Sequence, residues 1–354
     1  MIQFWKGRHG PIGVDIGSRS IKLVQFSADR RQLVEKARWE WEAPPYESEQ
    51  WDRAVAEALR SALAGRNFRG RRAVLALTDR QLYLQSVRVP RKENLTEIIH
   101  QEMAGRLPYP FEETMLDYWE SADIRQGDSM LREVIVIACH QPVALRVAQA
   151  AVQAGLHPVA LDVEPAAIIR SYCAQYRRDD ERTQCALLVH LGYSNTAVII
   201  CQFDQPYLVK YLDFGGRQMD ECVAESLHLE PHDAHLLRRQ LPAAPADLAE
   251  QIVAALRPAL EKLTREISLC VRYHTVTFRG RRLERMLVGG GEASRPLADQ
   301  LGQRLGLPAE LSDPFRRMAS REESHYPGLW DVAAGLALRS ENPELAQRPA
   351  EQSA

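Results

Sequence analysis

The stretch Gly13-Val14-Asp15-Ile16-Gly17-Ser18-Arg19-Ser20-Ile21-Lys22 decides the fold of this 354-residue chain. An apolar strand enters a tight turn of glycine and hydroxyl residues, and a second apolar strand leaves it. Glycine lets the backbone come close to a ligand, and successive turn N–H groups form a nest that binds anions. The stretch therefore predicts a phosphate-binding hairpin, in which Asp15 serves phosphate and magnesium.

The same pattern occurs a second time, far along the chain, at Leu187-Leu188-Val189-His190-Leu191-Gly192-Tyr193-Ser194-Asn195-Thr196-Ala197-Val198-Ile199-Ile200. Two such hairpins predict two related lobes that face one phosphate chain. A third element is an apolar strand that ends in Gly289, Gly290 and Gly291. A glycine run after a strand is by itself more often only a turn. Because bare backbone at a strand end can accept a flat ligand, this run in third place fits an adenosine-binding loop.

Composition limits the classes of function. Hydrophobic residues make up 45% and charged residues 26% of the chain, as in ordinary globular proteins, and the net charge of −2 gives no reason to expect nucleic-acid binding. The six cysteines show no CxxC pair, so neither a zinc site nor a disulfide framework is predicted. Apolar runs are shorter than the roughly 20 residues of a membrane span, and the start lacks a secretory signal. We expect a cytoplasmic protein without a span of its own.

The order of apolar periodicities predicts four regions. The first-lobe core comprises 10–79 and 159–182, an inserted α+β subdomain 80–158, the second lobe 183–340, and a polar, disordered tail 341–354. Within the insert, Asn94 and Glu97 predict a capping box for a helix that Pro108 stops. The last predicted helix, at 328–339, falls in the second lobe.

With its three motifs in this order, the chain resembles the PilM family of type IV pilus assembly, a branch of the actin-like ATPase superfamily that is related to FtsA. The most similar segments are Gly17-Ser18-Arg19-Ser20-Ile21-Lys22-Leu23-Val24, Leu107-Pro108-Tyr109-Pro110-Phe111, Leu161-Asp162-Val163-Glu164 and Ala334-Gly335-Leu336-Ala337-Leu338-Arg339. The resemblance implies an α/β, two-lobed actin-like fold (a duplicated ribonuclease H-like fold) with a small α+β subdomain inserted in the first lobe.

The resemblance also implies ATP or ADP with magnesium between the lobes. The residues expected around the nucleotide are Asp15, Gly17, Ser18, Arg19, Ser20, Lys22, Gly192, Tyr193, Ser194, Asn195, Thr196, Gly215, Gly216, Arg238, Gly289, Gly290 and Gly291, with Asp15 also as the magnesium ligand. Taken alone, Lys22 fits the exposed face of a strand equally well.

A partner is implied in the same way, namely the short cytoplasmic tail of a PilN-like inner-membrane protein; other pilus assembly proteins are possible partners. The tail is expected to add to a strand edge in a groove between the insert and the first-lobe core. The expected groove residues are Tyr83, Leu84, Val87, Leu107, Tyr109 and Phe111. The alternative is that these apolar residues close the core of the insert. The protein would thus be peripheral to the inner membrane through its partner, as a scaffold.

Three positions depart from the family pattern. His190 stands where an Asp is usual, Tyr193 occupies a position that is normally small, and His235 replaces a Glu. Imidazole is a poor magnesium ligand, so we expect ATP binding with little or no turnover rather than an enzyme. The alternatives are an actin-fold small-molecule kinase, which needs an acidic base in the cleft, and an FtsA-like filament-forming protein, which carries a C-terminal amphipathic helix.

Overall fold

The computed structural model describes residues 9–41, 50–91, 94–241, 244–279, 281–318 and 326–339. The predicted disordered tail, 341–354, lies outside the described residues. In chain order, the strands are β1 (His9–Ile16), β2 (Ser20–Ser27), β3 (Leu33–Glu40), β4 (Arg72–Leu77), β5 (Tyr83–Pro90), β6 (Thr114–Gln126), β7 (Ser129–His140), β8 (His157–Val163), β9 (Cys185–Leu191), β10 (Thr196–Gln202), β11 (Gln205–Leu212), β12 (Leu283–Gly289) and β13 (Ala309–Leu311).

The helices are α1 (Trp51–Leu63), α2 (Leu95–Met103), α3 (Gln141–Gln153), α4 (Glu164–Gln175), α5 (Asp179–Arg182), α6 (Gly216–Leu227), α7 (Pro231–Arg239), α8 (Ala246–Thr277), α9 (Arg295–Leu305) and α10 (Asp331–Ala337). None of the helices in the described part of the chain is long and apolar enough to cross a lipid bilayer.

Two five-stranded sheets share one topology. The first has the order β3-β2-β1-β4-β8 and the second the order β11-β10-β9-β12-β13. In each sheet an antiparallel meander of three strands is followed by two strands that join in parallel. Strands β4 and β9, which each pair in parallel with a neighbour, are buried along almost their whole length. Because both of their faces are covered, their sequences are almost continuously apolar. The duplication that the two hairpins predict is therefore present in the fold, with one hairpin in each sheet.

Helices α4 and α10 fill the space beside the first sheet, and the buried cluster around them continues into the second sheet. Ala167, Val332 and Leu336 belong to the same buried cluster as Leu188 and Leu287. The contact of α10 with β1 is so close that a Cβ on Gly13 would lie 2.0 Å from the Ala333 carbonyl oxygen. Glycine at this position is what allows the helix to lie directly on the strand.

A third sheet, of order β5-β7-β6, stands beside the first lobe. One of its faces packs on α2 through a small cluster that contains Val87, Val89, Ile99 and Met103. At residues 120 and 121 the strand β6 meets the second lobe, where Gln205 Nε2 donates to the Glu120 carbonyl oxygen and Ser121 Oγ donates to the Tyr207 carbonyl oxygen. The insert thus contacts both lobes.

Three expectations need correction. Helix α3 packs on α1, and its residues Val147 and Ala151 belong to the buried cluster of β1 and β4, so the insert ends near His140 and not at 158. Helix α10 packs on the first sheet, although it was expected in the second lobe. Helix α2 begins at Leu95 as predicted, but it ends at Met103, and no side-chain hydrogen bond caps it.

Candidate functional site

The turns of the two hairpins line one cleft between the lobes. In the first turn the Gly17 N–H donates to the Ser20 carbonyl oxygen at 3.1 Å, and Trp41 Nε1 donates to the Gly17 carbonyl oxygen at 3.3 Å. Asp15 and Lys22 are cross-strand neighbours, so their side chains meet, and Lys22 Nζ lies 2.6 Å from Asp15 Oδ2. Both residues are buried, 4% and 9% exposed. Lys22 is therefore a buried counter-ion, which excludes the exposed-strand alternative.

The second turn has the same geometry. The Gly192 N–H donates to the Asn195 carbonyl oxygen at 2.9 Å, as the Gly17 N–H does in the first turn. The Gly216 N–H at the start of α6 donates to the Gly192 carbonyl oxygen at 3.0 Å, so α6 is tied to the hairpin. A Cβ on Gly215 would lie 2.5 Å from the Tyr193 carbonyl oxygen, which explains the glycine there.

Most of the residues expected around the nucleotide line this cleft. They are Asp15, Gly17, Ser18, Arg19, Ser20, Lys22, Gly192, Tyr193, Ser194, Asn195 and Gly291. The others lie behind its wall. Thr196 is fully buried and donates to the Phe214 carbonyl oxygen at 2.7 Å. Gly290 has a φ of 93°, and its N–H donates to the Gly328 carbonyl oxygen.

Arg238 and the loop of three glycines meet in a network of ion pairs. Arg238 Nε lies 2.6 Å from Asp220 Oδ1, and Arg238 Nη1 lies 2.8 Å from Glu292 Oε2. The same Asp220 contacts His235 Nδ1 at 2.9 Å, and Arg239 donates to the Gly291 carbonyl oxygen at 2.8 Å. Arg238 thus positions Glu292 at the edge of the cleft and does not line the cleft itself.

His190 lies at the base of the cleft between two carboxyl groups. Its Nε2 is 4.0 Å from Glu164 Oε1, and its Nδ1 is 3.8 Å from Asp331 Oδ2. Burial raises the pKa of Glu164 to about 7, and the nearby Asp15 adds to this effect while His190 opposes it. Tyr211 donates a hydrogen bond of 2.9 Å to Glu164 Oε2. The imidazole therefore fills the place between acids at which the family pattern has an Asp.

Sequence reasoning missed several charged residues of the cleft, namely Arg38, Asp79, Arg80, Glu164 and Glu292. Burial lowers the pKa of Arg38 and raises that of Asp79, which also receives a hydrogen bond from the Asn195 side chain of the other lobe. Arg38 lies within β3, and Asp79 and Arg80 lie in a short helical turn after β4, away from the three motifs. Glu292 directly follows Gly291, and Glu164 follows the acid Asp162 at the start of a predicted helix, so only these two carried a signal in the sequence.

The cleft offers anion-binding groups more clearly than a metal site. Lys22, Arg19 and Arg38 line it, and Arg19 Nε is buried without a hydrogen-bond partner among the described residues. Over the described ranges no group of three or more His, Cys, Asp or Glu side chains is arranged to hold a metal ion. A bound magnesium would thus depend on Asp15 and on the phosphates themselves.

A second cavity, of about 590 Å³, lies between the insert and the first lobe. Residues 115–119 of β6 form one wall, and residues 161–163 of β8 with Ala166 and Arg170 of α4 form much of the other. Among the strands of the described ranges both are the last of their sheets, so each presents an edge that no other described strand covers. Asp162 pairs with Arg170 at 2.9 Å and with Arg339 at 2.8 Å at this groove.

A cavity is present between the insert and the first-lobe core, the place at which a partner groove was predicted, but the predicted residues do not line it. Tyr83, Leu107, Phe111 and the buried Val87 pack in the cluster that α2 forms with the small sheet. Leu84 packs against the cluster between the lobes, and Tyr109 stacks on His140 at 4.9 Å. The alternative that these residues close the core of the insert is therefore the correct one for most of them.

The duplicated sheets and the cleft between them define an actin-like ATPase fold. The structure of the ethanolamine utilization protein EutJ from Carboxydothermus hydrogenoformans is 15% identical, with 96% of this chain and 92% of that chain covered and a TM-score of 0.58. MreB 5 of Spiroplasma citri bound to AMPPNP is 11% identical, with 94% and 95% covered and a TM-score of 0.52. At these identities the two structures show the fold alone.

The family model of the type IV pilus assembly protein PilM matches residues 13–341, and the chain belongs to this family. The structure of a PilM-PilN type IV pilus biogenesis complex is 26% identical to this chain, with a TM-score of 0.77. The match covers 94% of this chain and 98% of that chain. No curated protein sequence matches the chain significantly.

Proposed function

We propose that this protein is a nucleotide-binding scaffold of a type IV pilus or a related assembly, and that it holds the N-terminal tail of a PilN-like inner-membrane protein in the groove between β6 and β8. The proposal puts the protein on the cytoplasmic side of the inner membrane, attached through this partner. The observation that carries it is the groove between two strand edges, in a chain whose relative of known structure is a PilM-PilN complex.

The groove suits an extended peptide for two reasons. An exposed strand edge offers main-chain N–H and C=O groups to an added strand, and alternate side chains of the peptide then enter pockets. The apolar walls of the groove come from Met115, Trp119 and Leu161. From residue 120 onward β6 is no longer free, because Gln205 already donates to the Glu120 carbonyl oxygen. The free segment is therefore short, and we expect about five peptide residues to pair, which at roughly 3.3 Å each span about 17 Å.

The peptide site is tested by fluorescence anisotropy with a labelled peptide of the PilN-like tail. Met115→Glu places a charge on the groove wall at a residue that is 48% exposed, so the fold should tolerate it and binding should be lost. Met130→Glu is the matched control, because Met130 is 49% exposed on the same sheet but lies outside the groove. Equal affinity of both variants and the unchanged protein would move the partner site elsewhere.

For the cleft we propose ATP or ADP, held by the two hairpin turns with Lys22 and Arg19 toward the phosphates. The support is the convergence of both turns with these cations on one cleft, together with Arg19 Nε, which has no hydrogen-bond partner in the described part of the chain. A magnesium ion would neutralise phosphate charge beside Asp15. Little turnover is expected because His190 is packed between Glu164 and Asp331. Calorimetry with ATP, in the presence and absence of magnesium, measures this binding directly.

Slow ATP hydrolysis is a second candidate activity, and Glu164 favours it. A carboxyl group with a pKa of about 7 at the cleft can accept a proton at neutral pH, which suits a general base. If the purified protein releases phosphate from ATP, Glu164→Gln should abolish the release without abolishing ATP binding. Phosphate release by the variant at the original rate would exclude Glu164 as the base.

A further inference from the structure

Arg19 and Tyr193 meet across the cleft. Arg19 belongs to the turn of the first-lobe hairpin and Tyr193 to the turn of the second-lobe hairpin, and the guanidinium carbon lies 5.3 Å from the centre of the phenol ring. At this distance an arginine is attracted by the face of an aromatic ring. The contact therefore joins the two turns that are expected to bind one phosphate chain.

The ring of Tyr193 is supported from behind. It stands edge-on to the His235 ring, with 6.0 Å between the ring centres and an angle of 84°. His235 is in turn held by Asp220, whose other carboxylate oxygen pairs with Arg238. A row of contacts thus runs from α7 and α6 through Tyr193 to Arg19, and it fixes the ring in the cleft.

The space that remains is small. The cleft encloses a cavity of about 70 Å³, whereas small-molecule sites usually measure roughly 300–1,000 Å³. Arg19 Nε is buried and without a hydrogen-bond partner among the described residues, although a guanidinium normally uses its fork of N–H groups on oxygen atoms. The ring attracts the charge of Arg19 but does not accept a hydrogen bond from its buried Nε–H.

We propose that the Arg19–Tyr193 contact is a latch that keeps the cleft closed, and that phosphate opens it by taking Arg19 from the ring. This inference rests on the proposed binding of ATP in the cleft. Tyr193 then competes with the nucleotide for Arg19. Arg19 contacts the ring in the closed cleft and the phosphate in the open cleft. The two partners of this contact therefore have opposite effects on ATP affinity. Because only open molecules bind, the apparent affinity equals the intrinsic affinity multiplied by the fraction of molecules that are open.

The test compares Tyr193→Ala, Tyr193→Phe and Arg19→Ala by calorimetry with ATP. Removal of the ring should tighten ATP binding two- to fivefold, which corresponds to about 0.5–1 kcal/mol of lost cation–π attraction. Removal of Arg19 also opens the latch but deletes a charged hydrogen bond to phosphate, so binding should weaken roughly tenfold. Tyr193→Phe keeps the ring and isolates the effect of the hydroxyl group. ATP binding that is equal or weaker in Tyr193→Ala, or tighter in Arg19→Ala, would overturn the proposal.

Amide hydrogen exchange without nucleotide gives an independent measurement of the latch. Exchange at the turns 17–20 and 192–195 should be faster in both alanine variants and unchanged in Tyr193→Phe, and unchanged exchange in both alanine variants would refute the latch. If none of the proteins binds ATP, the proposed nucleotide site fails. Faster exchange in the alanine variants would then still support the contact as a closure between the lobes.

Discussion

The buried pair of Asp15 and Lys22 allows a quantitative test of the hairpin. The two charges lie 2.6 Å apart and are almost fully buried, so Asp15→Asn leaves an ammonium group without its counter-ion. Removal of one partner of a buried pair typically costs about 3–5 kcal/mol, whereas replacement of both partners is often nearly neutral. We expect Asp15→Asn to lower the free energy of unfolding by about 3 kcal/mol or more, and the addition of Lys22→Met to restore most of it.

Urea unfolding of the four proteins in this double-mutant cycle measures the coupling, provided that the slope of free energy against urea concentration stays constant. Lys22→Met alone leaves the Asp15 carboxylate buried without its cation and should also cost about 3 kcal/mol. If the double variant loses about 1 kcal/mol, the expected coupling is about 5 kcal/mol, more than the cost of either single change. A cost of Asp15→Asn below about 0.5 kcal/mol, or strictly additive effects of the two changes, would refute the reasoning that Lys22 depends on Asp15.

Two other predictions concern the interior. Glu164 holds its proton in the folded protein up to a pKa of about 7, against an ordinary value of 4.5, so stability should fall as pH rises from about 4.5 to 7. Glu164→Gln should remove this pH dependence, which amounts to about 3 kcal/mol of unfolding free energy between the two pH values. Unfolding free energies of both proteins at pH 4.5 and pH 8 measure it, and a variant with the same pH dependence as the unchanged protein would contradict the assignment. Gly335→Ala would place a Cβ 1.9 Å from the Ala167 carbonyl oxygen, and should cost about 1–3 kcal/mol by forcing α10 from α4. Gly105→Ala is its control, because the added Cβ meets no atom within 4 Å, and equal melting temperatures of the two variants would contradict this prediction.

The parts of the fold that local chemistry determines were predictable. Gly17 and Gly192 stand in tight turns between apolar strands, and this pattern is visible without any knowledge of the partner strands. The placement of α3 and α10 was not predictable in this way. Each helix has an apolar face, but the sequence does not say which sheet that face covers, and the close packing of Gly13 and Gly335 on carbonyl groups is specified only in three dimensions.

The candidate site was predictable only in part, for a related reason. The residues of the two turns are contiguous in sequence, but Arg38, Asp79 and Glu292 come from three separate elements and meet only in the fold. A cavity does lie between the insert and the first lobe, where the partner groove was predicted. Its lining could not be predicted, because the alternation of β5 is the same whether its side chains face α2 or a partner. The edges of β6 and β8 become recognisable only once the strand order is known.

Hydrogen exchange of the intact protein with and without the PilN-like tail peptide tests the central claim most directly. Backbone amides at a strand edge exchange slowly once a peptide pairs with them. The proposal predicts slower exchange at residues 115–119 of β6, at residues 161–163 of β8, or at both, and unchanged exchange in β5. Protection confined to Tyr83–Pro90, the opposite edge of the small sheet, would contradict it.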